Sequence, residues 1–431
     1  MRKWLVIHYR GGNMGETAAR ARYLGTIFAL LLAAVPLSSG QAQDTDEIGA
    51  SITIRAEDLP KPYETPVEAL GPNRVSSNKE GELNLPPGFR VNAFRKDLTH
   101  ARWLYTLENG DILLAEPRGQ KITLLRDADG DGEAEIERLL VSGLDTPHGM
   151  AVIGDGLYIG ERMQLSRVPF KVGDLEVTGE VEHVTKPGTF GDGGGHWTRI
   201  LLHDPAENVL YIAIGSRSNI GVEALPRATI QKYYLDDGRM ETFASGLRNP
   251  VGMDFNPDTG ALYTVVNERD GYGDGLVPDY LTEVKEGGFY GWPYAYSGQI
   301  PDPDYGDKAP DMVAKSLLPD VLFQAHSASL GLAFYTGDMF PEEYRGDAFV
   351  TFQGSWNASV PTGYKIVRVP FENGRPIGSY QNFATGFRIE AEKPGAANVW
   401  GRPIGITMAA DGSLLISDAV SQTVWRISYG E

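Results

Sequence analysis

Six polar positions share one local context in this sequence, and their residue types favour anion binding and proton transfer. Each comes just before a short apolar run that is repeated along the chain. Arginine offers planar, permanently charged donors that suit a flat anion, and neutral histidine accepts a proton near neutral pH. We call them the rim positions, for the place that they are expected to take in the fold predicted below. They are Arg102, His148, His196, Arg248 with Asn249, His326 with Ser327, and Arg402.

The acidic composition of the chain suggests an alternative, in which these arginines are structural and pair with carboxylates. The chain has 57 Asp and Glu against 39 Lys and Arg, a net charge of -18. Any one of these arginines would be explained by pairing with one of the abundant carboxylates. A whole ring of arginine and histidine in an acidic chain instead favours an anionic ligand held in a cleft.

The repeated apolar runs predict the elements that position these groups. Each reads as a hairpin, two short strands around a turn with Asn-Gly, Asp-Gly or a longer Gly loop. The hairpins begin at residues 103, 148, 197, 251, 330 and 404, about 45 to 80 residues apart. We predict an all-β, six-bladed β-propeller with insertions in blades four and five. A pair of β-sandwiches would not repeat one signature six times. The loops before the innermost strands open at one face of a propeller, so the rim positions should meet there.

Two acidic loops are candidates for Ca²⁺, which prefers carbonyl and carboxylate oxygens. Residues 267–279 are rich in Asp and Gly, and a solvated acidic loop explains them equally well. Asp127, Asp129 and Asp131 fit the start of an EF-hand loop, but its twelfth position is Arg138 instead of Glu. A solvated acidic hairpin is the favoured interpretation of that second loop.

Composition excludes several classes of protein. A hydrophobic share of 42% is too high for a disordered chain. The absence of cysteine excludes disulfides, thiolate-bound clusters, covalently attached c-type haem and a cysteine nucleophile. The acidic balance argues against nucleic acid as a partner.

The N-terminal region predicts export. Arg20 and Arg22 precede an apolar stretch over residues 24–35, and small residues follow at 40–42. This order is typical of a secretory signal, and the apolar stretch is too short for a membrane span. We predict a signal over residues 1–42 with Met14 as a candidate start, an arm over 43–87 and the propeller over 88–431. The expected location is periplasmic or secreted, without stable membrane insertion.

Several motifs then resemble one family, the soluble pyrroloquinoline-quinone (PQQ) dependent sugar dehydrogenases. The likeness covers roughly residues 85–430 and is closer to the L-sorbosone and fungal pyranose dehydrogenase branch. The combination of Arg-Asn-Pro with Gly-Gly-x-Tyr-Gly-Trp-Pro is its most specific part. The motifs are Gly-Gly-His-Trp-Thr-Arg at 194–199, Gly-Leu-Arg-Asn-Pro-Val-Gly-Met at 246–253, Asn-Glu-Arg-Asp at 267–270, Glu-Gly-Gly-Phe-Tyr-Gly-Trp-Pro at 286–293 and Gly-Ser-Trp-Asn at 354–357.

The resemblance implies a six-bladed propeller with PQQ at the channel mouth over Ca²⁺. His196 resembles the family's general base, Arg248 and Asn249 its quinone-contacting pair, and Arg402 its carboxylate clamp. The backbone carbonyls of Arg269 and Asp270 lie where the family binds Ca²⁺. Further expected contacts with the cofactor come from Arg102 and His148 on the rim, from Asn219 and from Gln353.

The chain departs from the glucose-oxidising members at two positions. Ser216 stands where those members orient the base with an Asp, so the orienting group stays open. Where they place a Lys, Gln353 or Asn357 would substitute. The sugar preference of those members is therefore not transferable.

The function expected from these observations is an exported PQQ- and Ca²⁺-dependent dehydrogenase of a sugar or sugar-derived alcohol or aldehyde. Without haem, its electrons would pass to a separate acceptor such as a periplasmic cytochrome or a quinone. Two alternatives stay open: a Ca²⁺-dependent lactonase on the same fold, and a non-catalytic propeller that binds glycans or proteins. The lactonase would need carboxylate side chains at the channel, where the rim offers Arg and His.

Overall fold

The computed structural model describes residues 45–76, 81–389 and 394–430, and its regular structure is almost entirely β-strand. Six antiparallel sheets of four or five strands follow one another along the chain. This arrangement confirms the predicted six-bladed β-propeller. The predicted export signal, residues 1–42, lies outside the described residues.

Blades one to three are regular four-stranded meanders, each following the chain order from the axis outwards. Before them come two short strands of the arm and one strand that closes the ring. The strands of these regions are β1 (Ser51–Ile52), β2 (Asn73–Arg74), β3 (Phe89–Arg95), β4 (Trp103–Thr106), β5 (Ile112–Glu116), β6 (Lys121–Arg126), β7 (Ile136–Ser142), β8 (Met150–Ile153), β9 (Gly156–Gly160), β10 (Leu165–Pro169), β11 (Glu182–His183), β12 (Arg199–Asp204), β13 (Val209–Ile214), β14 (Thr229–Tyr234) and β15 (Met240–Ser245).

Blades four and five carry the predicted insertions. In blade four, a small hairpin and a short helix separate the third strand from the fourth. In blade five, a loop over residues 353–364 and a second small hairpin interrupt the sheet. The elements are β16 (Pro250–Phe255), β17 (Leu262–Val266), β18 (Pro278–Glu283), β19 (Ala295–Tyr296), β20 (Ile300–Pro301), α1 (Pro310–Lys315), β21 (Val321–Ala325), β22 (Ser329–Phe334), β23 (Ala348–Phe352), β24 (Lys365–Val369), β25 (Phe371–Glu372), β26 (Arg375–Pro376) and β27 (Tyr380–Ala384).

Blade six joins both ends of the described chain. Its sheet has the order β29 (Pro403–Met408), β30 (Leu414–Asp418), β31 (Thr423–Tyr429) and then β3. The antiparallel register begins with Phe89 opposite Tyr429. Closing the ring with a strand from before blade one removes the open edge that the last blade would otherwise expose. Within the described residues, α1 is the only α-helix, and no helix is long and apolar enough to cross a membrane.

Close approach of the innermost strands explains the repeated glycine in the apolar runs. A Cβ on Gly252 would lie 2.6 Å from the backbone nitrogen of Leu332 in the next blade. A Cβ on Gly405 would lie 2.5 Å from the backbone oxygen of Arg102. Only glycine permits this backbone contact, so these positions set how tightly the blades meet at the axis. The loops before the same strands are thereby drawn together at one end of the channel.

Candidate active site

His196, three residues before β12, is held in one tautomer by blade three. Its Nδ1 lies 2.9 Å from the carbonyl oxygen of Ser216 and 3.0 Å from the Ser216 Oγ. That hydroxyl donates its own proton to the carbonyl of Ser218 at 2.7 Å, so it faces His196 as an acceptor. Because a carbonyl can only accept, Nδ1 must carry the proton and Nε2 keeps its lone pair. The orienting group that the sequence left open is Ser216, chiefly through its backbone.

The electrostatics keep this imidazole neutral. Burial lowers the pKa of His196 to about 3, and the charge of Arg248 acts in the same direction. The carbonyl of Ser216 and the carboxylate of Asp270 oppose that shift only in part. His196 is therefore in its proton-accepting form at neutral pH.

Arg248 lies two residues before β16, and all three nitrogens of its side chain donate hydrogen bonds to neighbouring groups. Its Nε donates to the carbonyl of Asn219 at 3.0 Å, and one terminal nitrogen donates to the carbonyl of Glu268 at 2.6 Å. The other terminal nitrogen donates to the Asn219 side-chain oxygen at 2.8 Å and to Asp270 Oδ2 at 3.1 Å. The side chain thus ties the loop after β13 to the loop after β17.

Asn219 completes that connection by pairing with a backbone. Its Nδ2 donates to the carbonyl of Asp270 at 2.9 Å, and its Oδ1 accepts from the amide of Asp270 at 2.9 Å. The side chain therefore imitates a strand partner for the 267–279 loop. The carbonyl of Asp270, one of the two predicted Ca²⁺ ligands, already accepts one hydrogen bond and has a second lone pair left.

The carboxylate of Asp270 lies between cations and amides. Asn357 donates to its Oδ1 at 2.7 Å, and the same amide nitrogen is 3.0 Å from His326 Nδ1. The Nε2 of His326 donates to the carbonyl of Gly273 at 2.9 Å. Burial alone would raise the pKa of Asp270, but His326 and Arg248 outweigh burial and hold that pKa below its usual value. Burial opposes protonation of His326, yet Asp270 and Gly273 raise its pKa. We call Asn219, Arg248, Asp270, His326 and Asn357 the paired side of the rim.

A cleft of about 340 Å³ opens beside the paired side. Four loops of the propeller form one wall and part of the arm forms the other. An exposed indole, Trp356, stands at its edge with 52% of its surface accessible. The cleft is lined by Val67, Glu68, Ala69, Asn219, Asp270, Gly271, Gly273, His326, Trp356 and Asn357.

On the opposite side of the rim, the arginine side chains form no ion pairs within the described residues, and the carboxylate of Asp418 accepts from Arg402 only through its backbone amide, at 3.0 Å. Arg402 Nε donates to the carbonyl of Gln353 at 2.9 Å, and its Nη2 donates to the carbonyl of Gly354 at 2.7 Å. Arg102 lies over the ring of Trp197, and its Nε has no hydrogen-bond partner within the described residues. Burial lowers the pKa of Arg102 to about 9, and the charges of Arg402 and Arg118 add to this effect.

His148 is buried beside these arginines. Its ring lies 5.1 Å from Trp103 and 5.3 Å from Trp197, measured between centroids. In the described part of the chain, neither of its ring nitrogens has a hydrogen-bond partner. Burial and the charge of Arg102 place its pKa well below the usual value, so it is neutral. The unpaired side of the rim, as we name it, consists of Arg74, Arg102, Arg118, His148 and Arg402.

Arg74 and Arg118 were not predicted from the sequence. Arg74 lies in β2 of the arm, and its charge lowers the pKa of Arg402, after the larger effect of burial. Arg118 lies in the 3₁₀ turn Pro117–Gly119 that follows β5. In the part of the chain that the structure describes, none of the four arginines of the unpaired side forms an ion pair with a carboxylate. Only the strand pairing of the arm places Arg74 here, and no sequence motif marks it.

The other predicted site residues occupy different environments. Asn249 is buried, and its Oδ1 has no hydrogen-bond partner among the described residues. Gln353 is half-buried, and its carbonyl holds Arg402. The Arg269 side chain points into the blade-four insertion, where it binds Asp302 at 2.6 Å and the carbonyl of Ala295 at 2.6 Å. Only its backbone carbonyl was predicted to bind Ca²⁺, and that prediction stays untested.

Comparison with known families agrees with this geometry. Residues 162–355 match the family model described as Glucose / Sorbosone dehydrogenase, and residues 307–429 match the one described as TrAA12-like. Residues 162–355 are therefore similar to the glucose/sorbosone dehydrogenase family, over somewhat less than half of the chain. The resemblance seen in the sequence motifs is thereby confirmed, and the matched region includes His196, Arg248 and the 267–279 loop.

The curated relatives that this chain matches are distant. Aldose sugar dehydrogenase YliI of Escherichia coli is 30% identical, over 35% of this chain and 43% of that protein. The PQQ-dependent pyranose dehydrogenase of Coprinopsis cinerea is 24% identical, over 80% of this chain and 54% of that protein. An uncharacterized protein of Borreliella burgdorferi is 34% identical, over 54% of this chain and 61% of that protein. The chain therefore spans about half the length of the curated relatives that it matches.

Solved structures support the fold. The holo form of the PQQ domain of Coprinopsis cinerea pyranose dehydrogenase superimposes with a TM-score of 0.69 at 20% identity, covering 83% of this chain and 99% of that domain. The calcium structure of a Trichoderma reesei enzyme of carbohydrate-active family AA12 gives a TM-score of 0.67 at 20% identity, covering 83% and 99%. At these identities the likeness establishes the propeller fold and no more.

Proposed function

We propose that this protein is an exported, PQQ- and Ca²⁺-dependent dehydrogenase that oxidises a sugar or a sugar-derived alcohol or aldehyde. The observation that carries the proposal is the fixed tautomer of His196, a neutral imidazole with a free Nε2 at the mouth of the channel. Oxidising an alcohol requires that a proton leave oxygen as a hydride leaves carbon. A positioned base supplies the first of these.

His196 is the proposed base. Its Nδ1–H stays bonded to the Ser216 carbonyl, which fixes the ring and lets Nε2 take the substrate's hydroxyl proton. After transfer, the same carbonyl and the carboxylate of Asp270 stabilise the imidazolium, since both raise the pKa of His196. Arg248 opposes this charge and so favours release of the proton afterwards.

The unpaired side of the rim fits a flat anion. Buried groups without partners are costly, and the Arg102 Nε and both His148 nitrogens are such groups. A planar ligand with several carboxylates would give Arg102 the acceptor that the described residues do not provide, and it would give Arg402 a charged acceptor besides the carbonyls of Gln353 and Gly354. PQQ has this shape and charge, and when bound it supplies a quinone that accepts the hydride. Asn249, which follows Arg248 in the chain, and Gln353, whose carbonyl accepts from Arg402, are proposed to contact it as well.

The proposed Ca²⁺ ligands are the backbone carbonyls of Arg269 and Asp270. Oxygen ligands suit this ion, and the hydrogen bonds from Asn219 hold the loop that carries both carbonyls. The nearby Arg248 guanidinium works against a bare cation at this point. Anionic oxygen from the bound cofactor would compensate for it, so we expect Ca²⁺ and PQQ to bind together.

The lactonase alternative gains no support from the cleft. Such a site needs several carboxylate side chains converging on one ion. Among the described residues, the one group of metal-capable side chains that converge in this way is Asp127, Asp129, Asp131 and Glu135 in blade one. That group lies on a turn of blade one and lines no part of the cleft.

A reconstitution experiment tests the proposal. The purified protein is titrated with PQQ, with and without Ca²⁺, while quinone absorbance is recorded. Reduction of an artificial dye is then assayed over aldoses, sorbosone and lactones. We expect PQQ uptake that depends on Ca²⁺ and dye reduction with at least one sugar. Lactone hydrolysis without PQQ would favour the lactonase, and neither activity nor PQQ uptake would favour a binding propeller.

Export and electron transfer belong to the same proposal. We propose a periplasmic or secreted location from the N-terminal pattern. The acceptor of the electrons is proposed to be a separate cytochrome or quinone, because a chain without cysteine has no site for covalent c-type haem attachment.

A further inference from the structure

The arm crosses the face of the propeller that carries the rim, and it is anchored at both ends. Near its start, β1 pairs with β27 at the outer edge of blade five, with Ile52 opposite Tyr380. Near its end, β2 pairs in parallel with β28 (Asn398–Val399) before blade six. Between these strands, residues 67–69 of the arm lie beside the loops that carry Asp270, His326 and Trp356.

A third anchor lies beside the cleft. The amide of Tyr63 donates to the carbonyl of Tyr272 at 2.8 Å, and the two rings meet edge-on at 5.5 Å. Thr65 sits directly on Gly273, where a Cβ would lie 2.4 Å from the threonine Oγ1. Gly273 also has φ +113°, so a glycine is required there both for the backbone conformation and for the seat of the arm.

The next residues of the arm form the outer wall of the cleft. Val67, Glu68 and Ala69 line it opposite His326 and Trp356. Val67 is 56% exposed although it is apolar, and it faces a cleft whose other exposed apolar group is the indole of Trp356. An apolar pair at the mouth of a polar cleft is typical of a ligand-binding site.

The charges in this cleft point to an uncharged ligand. Glu68 adds a carboxylate that has no ion-pair partner among the described residues, and Asp270 adds a second one. Both cations beside Asp270 already have other partners: Arg248 is bonded to backbone oxygens and Asn219, and His326, 3.7 Å from Asp270, donates to the carbonyl of Gly273. A polyhydroxylated ring donates hydrogen bonds to such carboxylates, whereas an acidic sugar would be repelled.

We propose that residues 67–69 of the arm are a specificity wall, which restricts the cleft to an uncharged pyranose of monosaccharide size. The inference rests on the proposed function, since it assigns the sugar to this cleft and the anionic cofactor to the unpaired side. It gives the arm a role in selecting the substrate, although the arm contains none of the catalytic motifs.

Paired substitutions of Val67 test the wall. Val67→Trp narrows the cleft and Val67→Ala widens it. We expect Val67→Trp to lower kcat/KM for maltose about tenfold more than for D-glucose, and Val67→Ala to shift that ratio the other way. Calorimetric titration of the PQQ-loaded protein with both sugars should show the same selectivity in Kd. The PQQ affinity should not change, because Val67 does not touch the unpaired side.

Matched controls separate the wall from a general effect of the substitution. Val172 is a partly exposed valine in blade two and lines no part of the cleft, so Val172→Trp should leave the maltose-to-glucose ratio unchanged. Equal ratios in Val67→Trp and Val172→Trp would overturn the inference. If the wild-type protein takes up PQQ and oxidises a sugar, that result rejects the wall but not the proposed function. If the wild type takes up no PQQ, the proposed function fails on its own.

The charge argument has its own comparison. Glu68→Gln should raise the affinity for D-glucuronate relative to D-glucose by about threefold, the size expected for one exposed charge. Glu57→Gln changes a carboxylate of the same arm that does not line the cleft, and it should have no such effect. Tighter binding of glucuronate than glucose by the wild type would contradict the uncharged substrate.

Discussion

The two sides of the rim use the same residue types in opposite ways. On the paired side, Arg248 binds three carbonyls, an amide oxygen and Asp270, so its charge is spent on fixing loops. On the unpaired side, the side chains of Arg102 and Arg402 form no ion pair with a carboxylate, and His148 has no hydrogen-bond partner among the described residues. An arginine at a channel mouth is thus not by itself a ligand clamp. What distinguishes the two uses is whether the protein already supplies the acceptors.

This difference has an energetic consequence. A buried polar atom without a partner costs about 1–3 kcal/mol, so the unpaired side is a strained part of the free protein. The paired side is complete and keeps its shape when nothing is bound. We therefore expect the unpaired side to gain stability from an anion and the paired side to act as a rigid wall for chemistry.

The largest expected effect is that of replacing His196, the proposed general base. His196→Ala should lower kcat by about 10²–10⁴-fold, because proton removal then has no positioned base. PQQ affinity should stay close to the wild-type value, since His196 is not part of the unpaired side that is proposed to hold the cofactor. The measurement is steady-state dye reduction together with a PQQ titration. Nearly full turnover in this variant would remove His196 from the mechanism.

A pair of arginine-to-methionine variants tests the comparison directly. Arg248→Met should lower the free energy of unfolding of the cofactor-free protein by about 3 kcal/mol, because it leaves Asp270 and three carbonyls without their donor. Arg102→Met should stay within about 1 kcal/mol of the wild type, since it loses a contact with Trp197 but also an unpaired buried cation. Urea unfolding followed by fluorescence measures both.

With PQQ present in the same unfolding experiment, we expect Arg102→Met, and no longer Arg248→Met, to be the less stable variant. Saturating PQQ should stabilise the wild type by mass action and Arg102→Met much less. Equal destabilisation of the two cofactor-free variants would mean that the two sides do not differ.

The sequence predicted the ring of polar groups but not its division into two sides. The repeated apolar runs and turns depend on local periodicity, so six blades could be read from them. The same is true of His196, whose position before β12 follows from the repeat. Whether Arg248 meets Asp270 depends on loops that are 22 residues apart in the chain and carry no periodic signal.

The arm shows the same limit more strongly. Its proline-rich composition indicates a linker, yet Arg74 reaches Arg402 only because β2 pairs with β28 more than 300 residues later. Ser216 is an intermediate case. The sequence shows a serine at the position of an aspartate and leaves the orienting group open, whereas the structure shows that the backbone carbonyl of Ser216, which any residue would provide, holds the ring. Sequence reasoning weighs side chains and therefore misses such a contact.

A pH titration of stability examines the unpaired side. The pKa of His148 lies well below 6.5 in the folded protein, because of burial and then the charge of Arg102. The unfolded chain binds a proton there below pH 6.5 and the folded protein does not, so stability is lost as the pH falls below that value. Each such histidine adds a slope of at most about 1.4 kcal/mol per pH unit.

Replacing this residue isolates its part of the slope. His148→Phe keeps a ring between the two tryptophans. Between pH 6.5 and pH 5, it should reduce the slope of the unfolding free energy against pH by up to about 1.4 kcal/mol per pH unit. The comparison uses urea unfolding at several pH values. His203, a partly exposed histidine near the other end of the channel, provides the matched replacement, and His203→Phe should change the slope less because its pKa is lowered without a neighbouring arginine. An unchanged slope in His148→Phe would mean that the His148 ring of the wild type has a hydrogen-bond partner and keeps a pKa near the usual value.

The smallest expected effect separates the two groups that hold His196. Ser216→Ala removes the hydroxyl at 3.0 Å and keeps the carbonyl at 2.9 Å, which alone fixes the proton on Nδ1. We expect kcat to fall by only about fivefold, the equivalent of one hydrogen bond of about 1 kcal/mol. The pH dependence of kcat should shift little, because the tautomer is unchanged. A loss as large as that of His196→Ala would show that the hydroxyl orients the base, and the paired side would then depend on a side chain and not on the backbone of blade three.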